Sequence, residues 1–154
     1  MRQMVPEPKM PFETKDPQQS KELLDAGDWT YIDVRTTEEF ALGHPPGAYN
    51  VPFLVRDPVT MQMTPNPDFV AVMAANFPPE RSYVLGCAMG GRSMHACGAL
   101  GQMDFGSLVS MDGGFTGRRD PHGKTVQEGW HGLGYPSDTE AQPGHTYEEL
   151  HANT

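Results

Sequence analysis

Cysteine is scarce in this chain: Cys87 and Cys97 are the only two among 154 residues. Two thiols do not make the disulfide framework of a small secreted domain. The opening Met1-Arg2-Gln3-Met4-Val5-Pro6-Glu7 also lacks the apolar core of a secretion signal. Long hydrophobic runs are missing too, and no stretch approaches a membrane span. Basic residues are outnumbered, 11 Lys and Arg against 20 Asp and Glu, for a net charge of −9. That leaves no basic face to meet nucleic acid or an anionic membrane, so neither is expected as a partner. No internal repeat is visible, and His, Cys, Asp and Glu do not cluster at metal-ligand spacing. These absences predict a cytoplasmic protein without a metal. Its length fits one domain and not a tandem pair.

Glycine, by contrast, is plentiful at 17 residues, and three glycines frame the most informative stretch. Tyr83-Val84-Leu85-Gly86 reads as a short buried strand after the polar Glu80-Arg81-Ser82. Beyond it, Met94, Cys97 and Leu100 fall at helical spacing. Cys87-Ala88-Met89-Gly90-Gly91-Arg92-Ser93 therefore spans a loop from a strand's carboxyl end to a helix start. Ligands of open α/β sheets bind at such ends. Free N–H groups and the partial positive charge of the helix terminus favour an anion there. Gly90 and Gly91 let the loop curl so that successive N–H groups face inward as a nest. A thiol in that nest is expected to act as a thiolate nucleophile. The competing role for Cys87 is a structural thiol buried on a glycine turn.

Along the rest of the chain, strands alternate with helices. Asp16-Pro17 is a cap with proline at the first helical position, and Leu23-Leu24 ahead of Gly27 marks a short helix. Tyr31 to Val34 is a strand, and Thr36-x-x-Glu39 a capping box for a helix ending near Gly43. Ala48 to Val51 is a second strand. Asn66-Pro67 starts another helix with Phe69, Val70, Met73 and Phe77 buried, and Leu108 to Met111 is a strand after the cysteine loop. This alternation predicts an α/β fold with a mainly parallel central sheet and helices on both faces. Residues 1–15 read as an arm with a short edge strand near Phe12, 16–138 as the domain, and 139–154 as a polar tail carrying one or two helical turns at Thr146 to Leu150. Met73, Met94 and Met103 are expected in the core, with Met89 exposed in the loop. Trp130 is expected as a core anchor and Cys97 as a small buried side chain.

Four motifs and a modified fifth, in the expected chain order, resemble the rhodanese-type sulfurtransferases. Cys87-x-x-Gly90-x-Arg92-Ser93 is similar to that family's active-site loop. Asp33-Val34-Arg35, running on to Glu38-Glu39-Phe40, resembles its Asp-Val-Arg segment. Gly43-His44-Pro45-Pro46-Gly47-Ala48, followed by Asn50-Val51-Pro52, resembles its Gly-His-x-Pro-Gly-Ala and Asn-x-Pro motif. Leu108 to Phe115 resembles the strand and double glycine behind the catalytic helix, and Trp130 with Gly134-Tyr135-Pro136 a modified closing signature. The family pattern closes the gap after Gly113-Gly114 in a few residues, so about 116–128 is an insertion here, expected as a charged surface loop. Arg118, Arg119 and Lys124 of that loop would bring positive charge near the site mouth if they face it. Tyrosine phosphatases and dual-specificity phosphatases place five residues between Cys and Arg. Here only four separate Cys87 from Arg92, and no general acid for phosphate chemistry is apparent.

The resemblance implies a rhodanese-like three-layer fold and two-step sulfur transfer. Cys87 would take the sulfane sulfur of a donor such as thiosulfate as a persulfide and pass it to cyanide or a thiol, without a cofactor. N–H groups from Ala88 through Met89, Gly90, Gly91 and Arg92 to Ser93 would hold the charge. Arg92 would bind the donor's sulfonate, and Ser93 would cap the helix. Asp33, Arg35 and His44 are supporting positions: Arg35 is expected to pair with Glu38 or Glu39, and His44 to order the Gly43 to Pro46 turn. The partners implied are a small-molecule sulfur donor, a thiol or cyanide acceptor, and a protein persulfide acceptor as a further option. The alternatives are a persulfide carrier or binding module of low turnover, and a small cysteine phosphatase or arsenate reductase.

Overall fold

Asp16 and Thr36 start two helices by the same device. In α1 (Pro17–Asp25) the Asp16 carboxylate accepts from Gln19 N at 2.7 Å, and the Gln19 side chain accepts from Asp16 N at 3.1 Å. In α2 (Thr37–Leu42) Thr36 and Glu39 make the same reciprocal pair. Each box satisfies N–H groups that a helix start leaves free. The structure is a computed structural model and describes residues 12–154. Residues 1–11 of the expected arm lie outside them. The expected edge strand is β1 (Glu13–Lys15), which pairs with Val109–Met111.

Five strands form one parallel sheet. They are β1, β2 (Trp29–Asp33), β3 (Tyr49–Asn50), β6 (Ser82–Gly86) and β7 (Ser107–Met111), in the order β1-β7-β6-β2-β3. Successive side chains on a strand face opposite sides, so neighbours enter different cores. Ile32, Tyr83, Leu85 and Leu108 pack against α3 (Phe69–Asn76), α4 (Gly91–Gly101) and α5 (Tyr147–His151). Tyr31, Val84 and Val109 pack against α1 and α2, joined by Phe115 and Trp130. Burial on both faces explains why β6 reads almost without polar residues. The fold is the expected three-layer α/β arrangement. An antiparallel hairpin, β4 (Leu54–Arg56) with β5 (Met63–Pro65), stands outside the sheet.

Several local expectations change. In α3 the inward residues are Phe69, Val72 and Met73, with Val70 only half-buried. The helix starts at Phe69, and positions three and four residues on share its face. In α4 the inward set is Ser93, Ala96, Cys97 and Leu100. Met94 and Met103, expected in the core, are exposed. The stretch 116–128 is not simply a loop: β8 (Arg118–Arg119) and β9 (Thr125–Gln127) pair as an antiparallel hairpin. The segment after Pro136 packs on the domain. His44 and Asp138 form a backbone bridge, and Leu150 of α5 is buried beside α3.

Candidate active site

Cys87 follows β6 directly, and α4 begins four residues later. Gly86 precedes it because a β-carbon there would run into the Tyr31 hydroxyl on β2. Gly90, at φ +123°, turns the loop back so that its own N–H donates to Cys87 Sγ at 3.1 Å. The Ser93 N–H reaches the same sulfur at 3.4 Å, and Sγ stands 3.6 Å from Ser93 Oγ. Of the N–H groups expected to line the nest, those of Gly90 and Ser93 converge on the sulfur, and the Ser93 hydroxyl accepts from the thiol. Among the described residues Ala88, Met89, Gly91 and Arg92 donate none to it. Two amides and the start of an eleven-residue helix make this spot favourable for negative charge.

Ser93 does not cap α4. Gly90 occupies that position, and Ser93 lies in the first turn, fully buried. Its hydroxyl donates to Gly90 O at 3.0 Å and meets Ser110 Oγ of β7 at 2.8 Å. A chain of hydroxyls therefore runs from the sheet to the sulfur. The other side of the loop is pinned from beyond β7. Phe115 N donates to Cys87 O at 2.7 Å, and the Thr116 N–H and hydroxyl both donate to Ala88 O. Gly114, at φ +54°, permits this approach, since a β-carbon would collide with the Cys87 carbonyl.

Above the sulfur lies a cavity of about 670 Å³. Ala88, Met89, Gly90, Gly91 and Arg92 form one wall, and Thr14, Met94, Ser110, Asp112 and Arg118 complete it. Cys87 is at its floor, 1% exposed, while Met89 is half-exposed as expected. The Arg92 guanidinium is already engaged. Its Nη1 and Nη2 donate to Glu39 at 2.7 and 3.0 Å, so the group expected to grip a sulfonate holds a carboxylate of α2.

The supporting residues do not reach the sulfur through hydrogen bonds among the described residues, although Asp33 pairs in register with Gly86 beside Cys87. Asp33 and Arg35 form a buried two-point pair, with Nη2 to Oδ2 at 2.7 Å. Arg35 also donates to Gly43 O at 2.6 Å and lies 4.5 Å over the Phe115 ring. Burial pushes the Asp33 carboxyl up, against the pull of the adjoining guanidinium. Arg35 does not pair with Glu38 or Glu39. Asp33 shares its side of the extended backbone two residues back, while the capping box and Arg92 engage Glu39. His44, expected to order the Gly43 to Pro46 turn, fixes its ring on α2 instead: Nδ1 is 2.7 Å from Phe40 O and the ring stacks on Phe40. Among the described residues no hydrogen bond links Asp33, Arg35 or His44 to Cys87, and no metal-ligand cluster is present.

The rhodanese-like domain pattern matches residues 16–119. The chain belongs to the rhodanese-like domain family. Among curated proteins it is 39% identical over 95 residues to thiosulfate sulfurtransferase 16, chloroplastic, of Arabidopsis thaliana, covering 62% of this chain and 77% of that protein. It is 37% identical to rhodanese-like domain-containing protein 17 of the same plant, covering 66% and 65%, and 30% identical to a sulfurtransferase of Allochromatium vinosum, covering 62% and 76%. Against the senescence-associated protein DIN1 of Raphanus sativus, the chain spans about half of the relative's length, 51%. The crystal structure of Rv0390 from M. tuberculosis matches with a TM-score of 0.69 at 23% identity, over 83% of this chain and 98% of that one. A rhodanese-like domain protein from Staphylococcus aureus matches at 0.55 and 20%, over 84% and 99%. These likenesses establish the rhodanese-like fold.

Relatives carry chloroplastic and mitochondrial names, so compartment is not a property the family shares. Among the described residues no helix is long and apolar enough to cross a membrane. Sequence reasoning missed Ser110 and Asp112 around the loop, and did not foresee which residues Arg92 and Arg118 would meet. Ser110 is a lone polar residue inside the apolar run Leu108 to Met111, which was its signal. Glu39 is legible as a cap partner of Thr36 and a candidate partner of Arg35, not as the partner of Arg92. Of Arg118, Arg119 and Lys124, Arg118 lines the cavity and the other two do not, while its pairing with Asp112 had no signal in spacing, because the hairpin β8–β9 brings it back.

Proposed function

We propose that this rhodanese-like domain is a sulfurtransferase working through a persulfide on Cys87. It takes a sulfane sulfur from a donor such as thiosulfate and gives it to a thiophilic acceptor, cyanide or a thiol. The single observation that carries this reading is the convergence of Gly90 N and Ser93 N on the Cys87 sulfur at the floor of an open cavity. In the first step the Cys87 thiolate attacks the outer sulfur of thiosulfate. The donor's S–S bond breaks, sulfite leaves with its electron pair, and Cys87–S–S⁻ remains. In the second step the acceptor attacks that outer sulfur and Cys87 leaves as a thiolate. The Gly90 and Ser93 amides stabilise each sulfur anion, as donors aimed at developing charge do in other sites.

Arg92 serves this reading as a brace, because Glu39 occupies its two terminal nitrogens. The cycle calls for no metal or cofactor, and cytoplasmic thiols would suffice as acceptors. Incubation with thiosulfate followed by intact mass measurement tests the proposal. A gain of one sulfur atom, lost on adding cyanide, is expected. An unchanged mass with thiosulfate and with a persulfide donor would refute it. Sulfur loading without turnover would instead mark a persulfide carrier.

A further inference from the structure

The cavity over Cys87 presents both signs of charge beside the sulfur. Asp112, just past β7, and Arg118, on the inserted hairpin, form a two-point pair: Nε to Oδ1 at 2.9 Å and Nη2 to Oδ2 at 3.1 Å. The pair stands against the sulfur cradle. A β-carbon on Gly90, whose N–H donates to Cys87 Sγ, would lie 3.7 Å from Asp112 Oδ1. Both side chains are open to the cavity, 27% and 45% exposed for Asp112 and Arg118. Arg118 Nη1 makes no hydrogen bond among the described residues. Asp112 is ionised at neutral pH, since the Arg118 hydrogen bonds hold its carboxyl below the usual range.

A small dianion gains little from such a pair, because Asp112 cancels the charge that Arg118 offers. The third charged residue of the cavity, Arg92, is cancelled in the same way by Glu39. A molecule with a cation and an anion on neighbouring atoms meets a partner at each end. The volume, about 670 Å³, is that of an organic-ligand site, and Met89 and Met94 give it apolar flanks suited to a methylene stem.

We infer that the acceptor favoured at this site is a thiol bearing an α-amino-acid headgroup, its carboxylate taken by Arg118 and its ammonium by Asp112. The inference rests on the sulfur-transfer reading above and names its second substrate. The acceptor thiolate attacks the outer sulfur of Cys87–S–S⁻. A new S–S bond forms on the acceptor, the old one breaks, and Cys87 leaves with the electron pair. The proton lost when the acceptor thiol ionises goes to water.

Four small thiols test this with sulfur-loaded protein: cysteine, 3-mercaptopropionate with only the carboxylate, cysteamine with only the ammonium, and 2-mercaptoethanol with neither. Each thiol is compared with itself across variants, so differences in thiol acidity cancel. Arg118→Ala is expected to lower kcat/KM about tenfold for cysteine and 3-mercaptopropionate, to leave 2-mercaptoethanol nearly unchanged, and to help cysteamine, since Asp112 then stands uncancelled. Arg118→Lys should recover part of that loss. Asp112→Asn should penalise cysteine and cysteamine while helping 3-mercaptopropionate, since Arg118 then stands uncancelled. Equal effects on all four thiols, or none on cysteine, would overturn the inference while leaving sulfur transfer intact. Failure of the unmodified protein to pass sulfur to any thiol or to cyanide would overturn the transfer reading and this inference together.

Discussion

Arg92 spends both terminal nitrogens of its guanidinium on the Glu39 carboxylate, at 2.7 and 3.0 Å. The contact joins the first turn of the helix behind Cys87 to the helix that follows Arg35. If this brace holds the loop in shape, Arg92→Ala and Glu39→Gln should slow thiosulfate and a neutral persulfide donor by similar factors. Kinetics with both donors measure it. A loss confined to thiosulfate would return Arg92 to sulfonate binding.

The same contact carries a pH dependence. Part-burial pushes the Glu39 carboxyl up, yet the Arg92 hydrogen bonds and charge, with the Thr36 cap, outweigh it and hold it at about 2. The folded value lies below the ordinary 4.5, so the pair's stabilisation is fully present above about pH 4.5. It is lost as pH falls toward 2. Because a third of the Glu39 side chain meets solvent, screening limits the effect to about 1 kcal/mol. Urea unfolding at pH 6 and pH 3 should show a smaller drop in Glu39→Gln than in the unmodified chain. Equal drops would contradict this.

What was legible in the sequence was what local chemistry dictates. Asp16 with Pro17 and Thr36 with Glu39 announced helix starts by residue type and spacing, and the run before Cys87 announced a buried strand. The cradle followed, because a strand end, paired glycines and a helix start leave few other paths for the backbone. Long-range partners were not legible. Which acid Arg92 or Arg35 meets depends on how α2 sits against α4. Arg118 reaches Asp112 only because residues 116–128 fold back as a hairpin. Met94 misleads because apolar spacing alone ignores Ser93, which is polar yet drawn inward by Ser110 and the sulfur and so sets the buried face.

Two glycines should behave in opposite ways. Gly114→Ala places a β-carbon into the Cys87 carbonyl at a positive φ, so it should cost roughly 3 kcal/mol or more and impair persulfide formation. Gly98, inside α4, has open space where a β-carbon would sit, with no neighbour within 4 Å. Gly98→Ala should therefore stabilise by roughly 0.5–1 kcal/mol. Thermal unfolding of both variants decides it, and a neutral Gly114→Ala would contradict the close approach.

Arg35 and Asp33 are nearly sealed from solvent, at 4% and 0% exposure. Removing one partner leaves an uncompensated buried charge, so Arg35→Met should cost roughly 3–5 kcal/mol. Asp33→Asn in the same chain should restore part of this, although Arg35 also supports Gly43 O and covers Phe115. A double-mutant cycle in urea reads the coupling. Additive losses would show that the two side chains act independently.

Cys97 tests whether the two thiols differ as their surroundings require. It is fully buried on the inner face of α4, and burial, with the Cys87 charge nearby, pushes its thiol up to about 12. It is therefore a thiol, not a thiolate, at any ordinary pH and has no path to a reagent. Cys87 is also buried, yet it forms the floor of an open cavity. Iodoacetamide at pH 8 should modify one thiol in the native protein and a second only after denaturation. Cys97→Ala should cost roughly 1–2 kcal/mol through lost packing and still gain one sulfur from thiosulfate. Cys87→Ser should fold and gain none, because its hydroxyl stays protonated and has no sulfur with which to form a persulfide. A folded Cys97→Ala that fails to load, beside a Cys87→Ser that loads normally, would place the nucleophile at the wrong cysteine.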